Sequence, residues 1–198
     1  MKVKSLRISL VIPLLLLASS CSAGTGSSDQ SAATALPVRI ARADLASGGT
    51  SVEELATQSQ LAVLGTARTA RQEPNKVDPA IVSTVQSFTV DKIVWGTITR
   101  DAIEVRFTGG VVRDDVAGSY LLQLEGQPQF DDGHQYFLVL LGPSPDGTYM
   151  VFGGPQGRYE VTDGRLVAVE GTADDLVIAS LDGAKFDAVA QELASLTR

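Results

Sequence analysis

The chain has 198 residues and is acidic, with 16 Lys and Arg against 23 Asp and Glu and a formal net charge of −7. This charge excludes general electrostatic binding to nucleic acid or anionic lipid headgroups, which requires basic surface. A single cysteine excludes an intramolecular disulfide, and a single histidine excludes a metal site with several histidines.

Residues 1–20 have the organisation of a secretory signal peptide. Lys2, Lys4 and Arg7 form a basic start, and a largely apolar run follows from Ile8 to Ala18. The run is about half as long as the roughly 20 residues that a membrane-spanning helix needs. We therefore expect a cleaved signal and not a transmembrane anchor.

The signal ends in Leu17-Ala18-Ser19-Ser20-Cys21, which resembles the lipobox of bacterial lipoproteins. The resemblance implies cleavage before Cys21, a diacylglycerol thioether on its sulfur, and acylation of the new amino terminus, typically with palmitate. The protein would then be extracytoplasmic and anchored to the cell membrane, or to the outer membrane if the source has one. Ala18 stands where lipoboxes most often carry leucine, which leaves an ordinary secretory signal as the alternative.

Processing would make the protein more acidic, because the removed segment carries three basic residues and no acid. The processed chain would contain thirteen basic and twenty-three acidic residues, which gives a net charge near −10. Residues 21–50 are rich in Gly, Ser, Ala and Thr, a composition that buries little surface and predicts a flexible tether. Residues 51–198 then form a single β-rich globular domain of ordinary size.

The domain is predicted to open with a short helix, because Ser51 and Glu54 have the spacing of a capping box. Strands follow, and a bulge near Ser87 would keep the apolar side chains of the second on one face. Two more continuously apolar segments are predicted to be central strands covered on both faces. In chain order the predicted strands are 61–67, 81–95, 103–107, 120–124, 136–141, 148–152, 158–161 and 166–169, the fifth (136–141) being the most clearly apolar.

The last two of these strands are predicted to form a hairpin through Asp163-Gly164, a dipeptide suited to a turn with positive φ. The chain then closes on an amphipathic helix with Asp182 as its N-cap. No helix alternates with the strands, so a parallel α/β sheet is disfavoured. The pattern predicts a mainly β fold, an OB-like antiparallel barrel with a short N-terminal helix and a C-terminal helix, or alternatively a β-sandwich.

Four segments resemble the strands of netrin-like and metalloproteinase-inhibitor-like OB barrels, including those of uncharacterised secreted bacterial proteins. They are residues 62–66, 90–96, 103–107 and 133–138. The resemblance implies the OB barrel but not protease inhibition. Inhibitors of that group chelate the protease zinc with an amino-terminal cysteine, and this domain has no cysteine apart from Cys21.

Catalytic signatures are weak. His134 follows Asp131-Asp132-Gly133, a pattern typical of a turn before a strand. The acidic pairs are interpreted as solvated turns, and Gly153–Gly157 as a wide turn, since no Lys-Ser or Lys-Thr completes a phosphate loop. We therefore predict no catalytic residues, no metal and no cofactor, with weak calcium binding by two of the acidic pairs left open as a hypothesis. The alternative is an envelope hydrolase that uses Asp131 or Asp132 with His134.

The favoured function is a lipid-anchored binding or interaction module of the bacterial cell envelope. Its partner would be an envelope protein or a glycan, and a purely structural role is a third hypothesis. Loops and strand ends are where such domains place function. The residues proposed for a binding rim are Trp95, Arg113, Tyr120, His134, Tyr136 and Arg158.

Replacing Cys21 with alanine tests the anchor. We expect the native chain to incorporate labelled palmitate and to sediment with membranes, and the Cys21→Ala variant to lose both properties, since no other thiol can carry the lipid. Metabolic labelling and fractionation measure this. Equal fractionation of the two forms would favour the ordinary secretory signal.

Overall fold

The computed structural model describes residues 35–42, 48–75, 81–169, 172 and 174–196. The predicted signal peptide and Cys21 lie outside these residues. The described part of the chain contains nine strands and three α-helices. The strands are β1 (Val38–Ala41), β2 (Leu61–Pro74), β3 (Val82–Trp95), β4 (Ala102–Asp114), β5 (Gly118–Leu124), β6 (Gln135–Leu141), β7 (Met150–Val151), β8 (Arg158–Thr162) and β9 (Arg165–Val167), and the helices are α1 (Val52–Gln58), α2 (Leu176–Leu181) and α3 (Phe186–Leu196).

The strands form one curled sheet in the order β1-β5-β4-β3-β2-β6-β8-β9, with β7 paired to β6. A parallel bridge joins β4 to the residue that precedes β7. The Arg106 amide donates to the Tyr149 carbonyl, and the Tyr149 amide donates to the Glu104 carbonyl, each at 2.8 Å. This contact brings β2, β3, β4, β6 and β7 into an OB-like barrel, so the predicted fold class is confirmed.

Strand β6 separates two apolar cores because successive side chains of a strand point to opposite faces. Tyr136, Leu138 and Leu140 pack inside the barrel, where Phe88 and Val105 are also buried. Phe137 and Val139 face the other way and belong to the core that the helices cover, which also includes Leu55, Tyr159, Ile178, Phe186 and Leu193. The prediction that this strand is covered on both faces is confirmed.

Strand β4 bends at Gly109 and Gly110, whose φ angles are +121° and +142°. Its first half pairs with β3 in the barrel, and its second half pairs with β5. A side chain at Gly109 would meet the Leu122 carbonyl oxygen at 2.6 Å from its Cβ, so a larger residue does not fit. The half of β4 that follows Gly109 therefore connects the barrel to β5, and β5 in turn pairs with β1.

Local signals in the sequence predict several turns correctly. The Ser51 hydroxyl accepts from the Glu54 amide at 3.2 Å and caps α1. Asp163 and Gly164 have φ angles of +51° and +71° and join β8 to β9, as the two-residue hairpin requires. The bulge predicted near Ser87 of β3 is not found there: β3 pairs with β4 without a shift in register, and opposite Ser87 the extra residue lies in β2, between Ala67 and Ala70.

Three other details differ from the sequence-based expectations. Residues 38–41, within the predicted tether, form β1 and pair in parallel with β5. Asp182 does not cap the last helix; it follows α2 and accepts from the Ala168 amide, while Asp175 caps α2. Residues 120–124 are only partly buried, because β5 lies beyond the bend of β4 and its other neighbour is the exposed β1.

Truncating the barrel core should lower stability far more than the same change at the surface. Leu138 is fully buried, whereas Leu176 is exposed. We expect Leu138→Ala to reduce the free energy of unfolding by about 2–5 kcal/mol and Leu176→Ala to change it by about 0.5 kcal/mol or less. Denaturant titration of both variants measures the difference. Equal losses would contradict the assignment of β6 to the core.

Candidate functional site

A cleft of about 830 Å³ lies between β1 and β5, at one end of the curled sheet, and the strands β8 and β9 at the other. Apolar side chains line both walls: Ile40, Leu121 and Leu124 on one side, and Val167 and Val169 on the other. This volume is within the range of ordinary ligand sites, roughly 300–1,000 Å³. The cleft exists because β4 bends and leaves the two ends of the sheet unpaired with each other.

Arg158 also lines the cleft, although only 4% of its surface is exposed. Its guanidinium lies 3.6 Å from the centre of the Phe130 ring and donates to the backbone carbonyls of Pro128 and Gln129, the latter at 2.9 Å. Burial lowers the pKa of Arg158 to about 10, because removal from water disfavours the charged form. The side chain thus holds the 128–130 loop against the barrel.

Two buried donors near Arg158 are unused. Arg158 Nε and Gln129 Nε2 have no hydrogen-bond partner within the described chain. Leaving a buried donor unpaired has a cost of about 1–3 kcal/mol. Both atoms have almost no solvent-accessible surface, so they lie beneath the lining of the cleft and a ligand in the cleft does not contact them directly.

The rim of the cleft is acidic. Glu125 pairs with Arg42 at 2.8 Å, and both side chains are more than half exposed, so this ion pair is weak. Asp131 and Glu160 complete the rim. His134 stands beside them, with its Nδ1 atom 2.9 Å from Glu160 Oε1.

The turn that carries Asp131 and His134 is tied to the barrel at several points. The Asp131 amide donates to the Tyr136 hydroxyl at 3.0 Å, and Gly133 and His134 exchange backbone hydrogen bonds with Ala67 at 2.9 Å each. Burial raises the pKa of Tyr136, whose hydroxyl is held at the cleft floor. The turn therefore presents its two polar side chains from a fixed position.

The structure groups only part of the predicted rim. His134, Tyr136 and Arg158 lie at or beside the cleft. Trp95 does not belong to a rim: it is 8% exposed, packs in the helix-covered core and donates from Nε1 to the Ser59 hydroxyl at 3.0 Å. The remaining two, Arg113 and Tyr120, lie on β4 and β5 outside the cleft lining, and the Tyr120 ring stacks with Arg39 at 3.9 Å.

Glu160 is the site residue that the sequence analysis missed. A usable signal exists, because Glu160 is two residues from Arg158 and so shares its face of β8. Its cross-strand neighbour is Tyr136. No sequence pattern identifies the apolar walls of the cleft. Ile40 and Val167 are 127 residues apart, and only the curl of the sheet brings them together.

A second charged group lies on the outer face of the barrel, but its charges are mutually paired. Arg71 pairs with Glu104, and Arg106 pairs with Glu73 at 2.9 Å and with Asp146 at 3.0 Å. Hydrogen bonds from the two arginines lower the pKa values of Glu73 and Glu104. This network is stabilising surface structure, and the cleft is the better candidate site.

Comparison with known proteins gives no family: no family model matches the chain, and the search of characterised proteins finds no match. None of the helices in the described ranges is long and apolar enough to cross a membrane. The functional argument therefore depends on the geometry of the cleft.

Replacing Arg158 with lysine should damage the cleft, because an ammonium group cannot donate in a planar fork to two carbonyls and stack on a ring. We expect Arg158→Lys to lower the free energy of unfolding by about 1–3 kcal/mol. The control is Arg165→Lys, at an exposed arginine that donates to the Gly183 carbonyl at 2.7 Å, with an expected change of about 0.5 kcal/mol or less. Thermal and denaturant unfolding measure both. Equal stability of the two variants would show that the fork does not hold the 128–130 loop.

Proposed function

We propose that the protein is a lipid-anchored, extracytoplasmic binding module of the bacterial cell envelope, and that the cleft between the sheet ends holds its partner. The observation that carries the proposal is a cleft of about 830 Å³ with apolar walls, a buried arginine and an acidic rim. The lipobox ending at Cys21 supports the anchor, which would keep the domain near its partner at the membrane.

The lining of the cleft favours an extended segment of another envelope protein. Apolar side chains of such a segment would pack between the Ile40 and Val167 walls. Glu125, Asp131 and Glu160 at the rim favour a basic residue beside the apolar ones. The processed chain, with a net charge near −10, would add long-range attraction to a basic partner.

A glycan partner is less well suited to this site. Sugar rings are commonly held by exposed aromatic faces, but Tyr136 and Trp95 are both buried. Tyr120 is only partly buried, but it lies outside the cleft lining and its ring is covered on one face by Arg39. We therefore favour a protein partner over the glycan that the sequence equally allowed.

The hydrolase alternative uses Asp131 or Asp132 with His134. Within the described residues the hydrogen-bond partner of the His134 ring is the Glu160 carboxylate, and no serine or threonine hydroxyl is bonded to that ring, so a nucleophilic triad is disfavoured. A carboxylate mechanism needs no such hydroxyl; hydrolytic activity that survived Asp131→Asn, Asp132→Asn and His134→Ala would count against it. We favour binding because the apolar walls of the cleft suit a bound segment.

Site-specific photocrosslinking in living cells tests the cleft. A photoreactive residue at Val167, which is 43% exposed on the cleft wall, should give one discrete adduct with an envelope protein. The same residue at Met150, 48% exposed on β7 and outside the cleft, should not. The adduct should weaken in an Asp131→Asn, Glu125→Gln double variant, because the basic partner loses two acidic contacts. No adduct from Val167, or the same adducts from both positions, would contradict the proposal.

A further inference from the structure

We propose that Asp131, His134 and Glu160 form a binding site for a divalent transition-metal ion of the zinc type. One ligand atom from each of these side chains lies within 4.8 Å of the other two. The group combines an imidazole nitrogen with two carboxylate oxygens. It shares Asp131 and Glu160 with the acidic rim of the cleft, but metal binding requires no other protein and is tested without one.

The spacing suits a small tetrahedral ion. Zinc takes nitrogen at about 2.0–2.1 Å and carboxylate oxygen at about 2.0–2.2 Å, so its ligand atoms are separated by about 3.3–3.5 Å. His134 Nδ1 and Glu160 Oε1 are already 2.9 Å apart, and the whole group falls within 4.8 Å. Small side-chain rotations would bring the three ligand atoms to zinc distances.

The backbone positions these ligands before any ion binds. Asp131 and His134 are on one turn, fixed by the Tyr136 hydroxyl and by the backbone of Ala67. Glu160 is on β8, directly across from Tyr136 of β6. Two separate elements of the barrel therefore converge on one point, and ordering the site costs little backbone entropy.

The charges near the group also favour a cation. The Arg158 guanidinium donates to the Pro128 and Gln129 carbonyls, and it forms no ion pair with Asp131 or Glu160 in the described chain. His134 and Glu160 have exposed side-chain fractions of 51% and 35%, so an ion can reach them from solvent. Two carboxylates outnumber the one neighbouring arginine, so the net charge of the site is negative.

The donor set selects the type of ion. Calcium prefers six to eight oxygen ligands, and magnesium keeps a near-complete octahedron of oxygens and waters. A nitrogen with two carboxylate oxygens suits zinc and its first-row neighbours better. Three protein ligands leave a fourth position to water, the arrangement of open zinc sites.

Titration of the full chain with zinc alone tests the site, using a Cys21→Ala background so that no thiol competes for the metal. We expect one zinc ion per chain with a dissociation constant in the micromolar range by calorimetry, and a rise in thermal midpoint. Millimolar calcium should leave the midpoint unchanged. Cobalt(II) should bind in place of zinc and give the intense visible absorption of a four-coordinate ion.

Three matched variants test which side chains bind the metal ion. His134→Ala and Glu160→Gln should each weaken zinc binding at least tenfold, whereas Asp132→Asn, an exposed carboxylate next to the group but outside it, should bind as the parent does. Circular dichroism of the metal-free variants checks that they are folded. The proposal is overturned if zinc does not bind below about 1 mM, if His134→Ala binds as tightly as the parent, or if Asp132→Asn weakens binding equally.

Discussion

The double-sided burial of β6 is the constraint on which the rest of the structure depends. Tyr136, Leu138 and Leu140 fill the barrel, and Phe137 and Val139 support the helices. The same strand pairs with β2, β7 and β8, so it also fixes the position of the cleft wall. A change in its register by one residue would exchange the two faces and disrupt both cores at once.

The cleft is a direct consequence of how the curled sheet ends. Barrel closure uses the bridge between Val105 and Tyr149. The bend at Gly109 and Gly110 then directs β5 outward, and β8 and β9 extend from the opposite end. The space between these ends is lined by residues that no local pattern connects. The candidate binding surface thus lies where the two ends of the sheet face each other, and loops and strand ends on a stable scaffold are common places for ligand sites.

Arg158 links stability to the proposed function. The buried Arg158 guanidinium has no ion-pair partner among the described residues, and its burial is tolerated because two backbone carbonyls accept from it and the Phe130 ring covers it. The carboxylates of Asp131 and Glu160 are left to face solvent and ligands. In the cleft the arginine bonds to backbone carbonyls and the carboxylates stay charged at the rim. In the outer network, by contrast, Arg71 and Glu104 form an ion pair and neutralise each other.

The sequence by itself determined the elements whose signals are local: the cap at Ser51, the Asp163-Gly164 hairpin, the apolar alternation of the barrel strands and the mainly β class. The segment before Cys21 resembles a lipobox, a linear motif that needs no tertiary structure to be recognised, and the lipid anchor stays a prediction. Only the tertiary structure decided that Trp95 is a core residue, that β1 leaves the predicted tether to join the sheet, and that Glu160 meets His134. Those outcomes depend on pairings between distant segments, and the free energy of such pairings comes from surfaces that exist only after the sheet has curled.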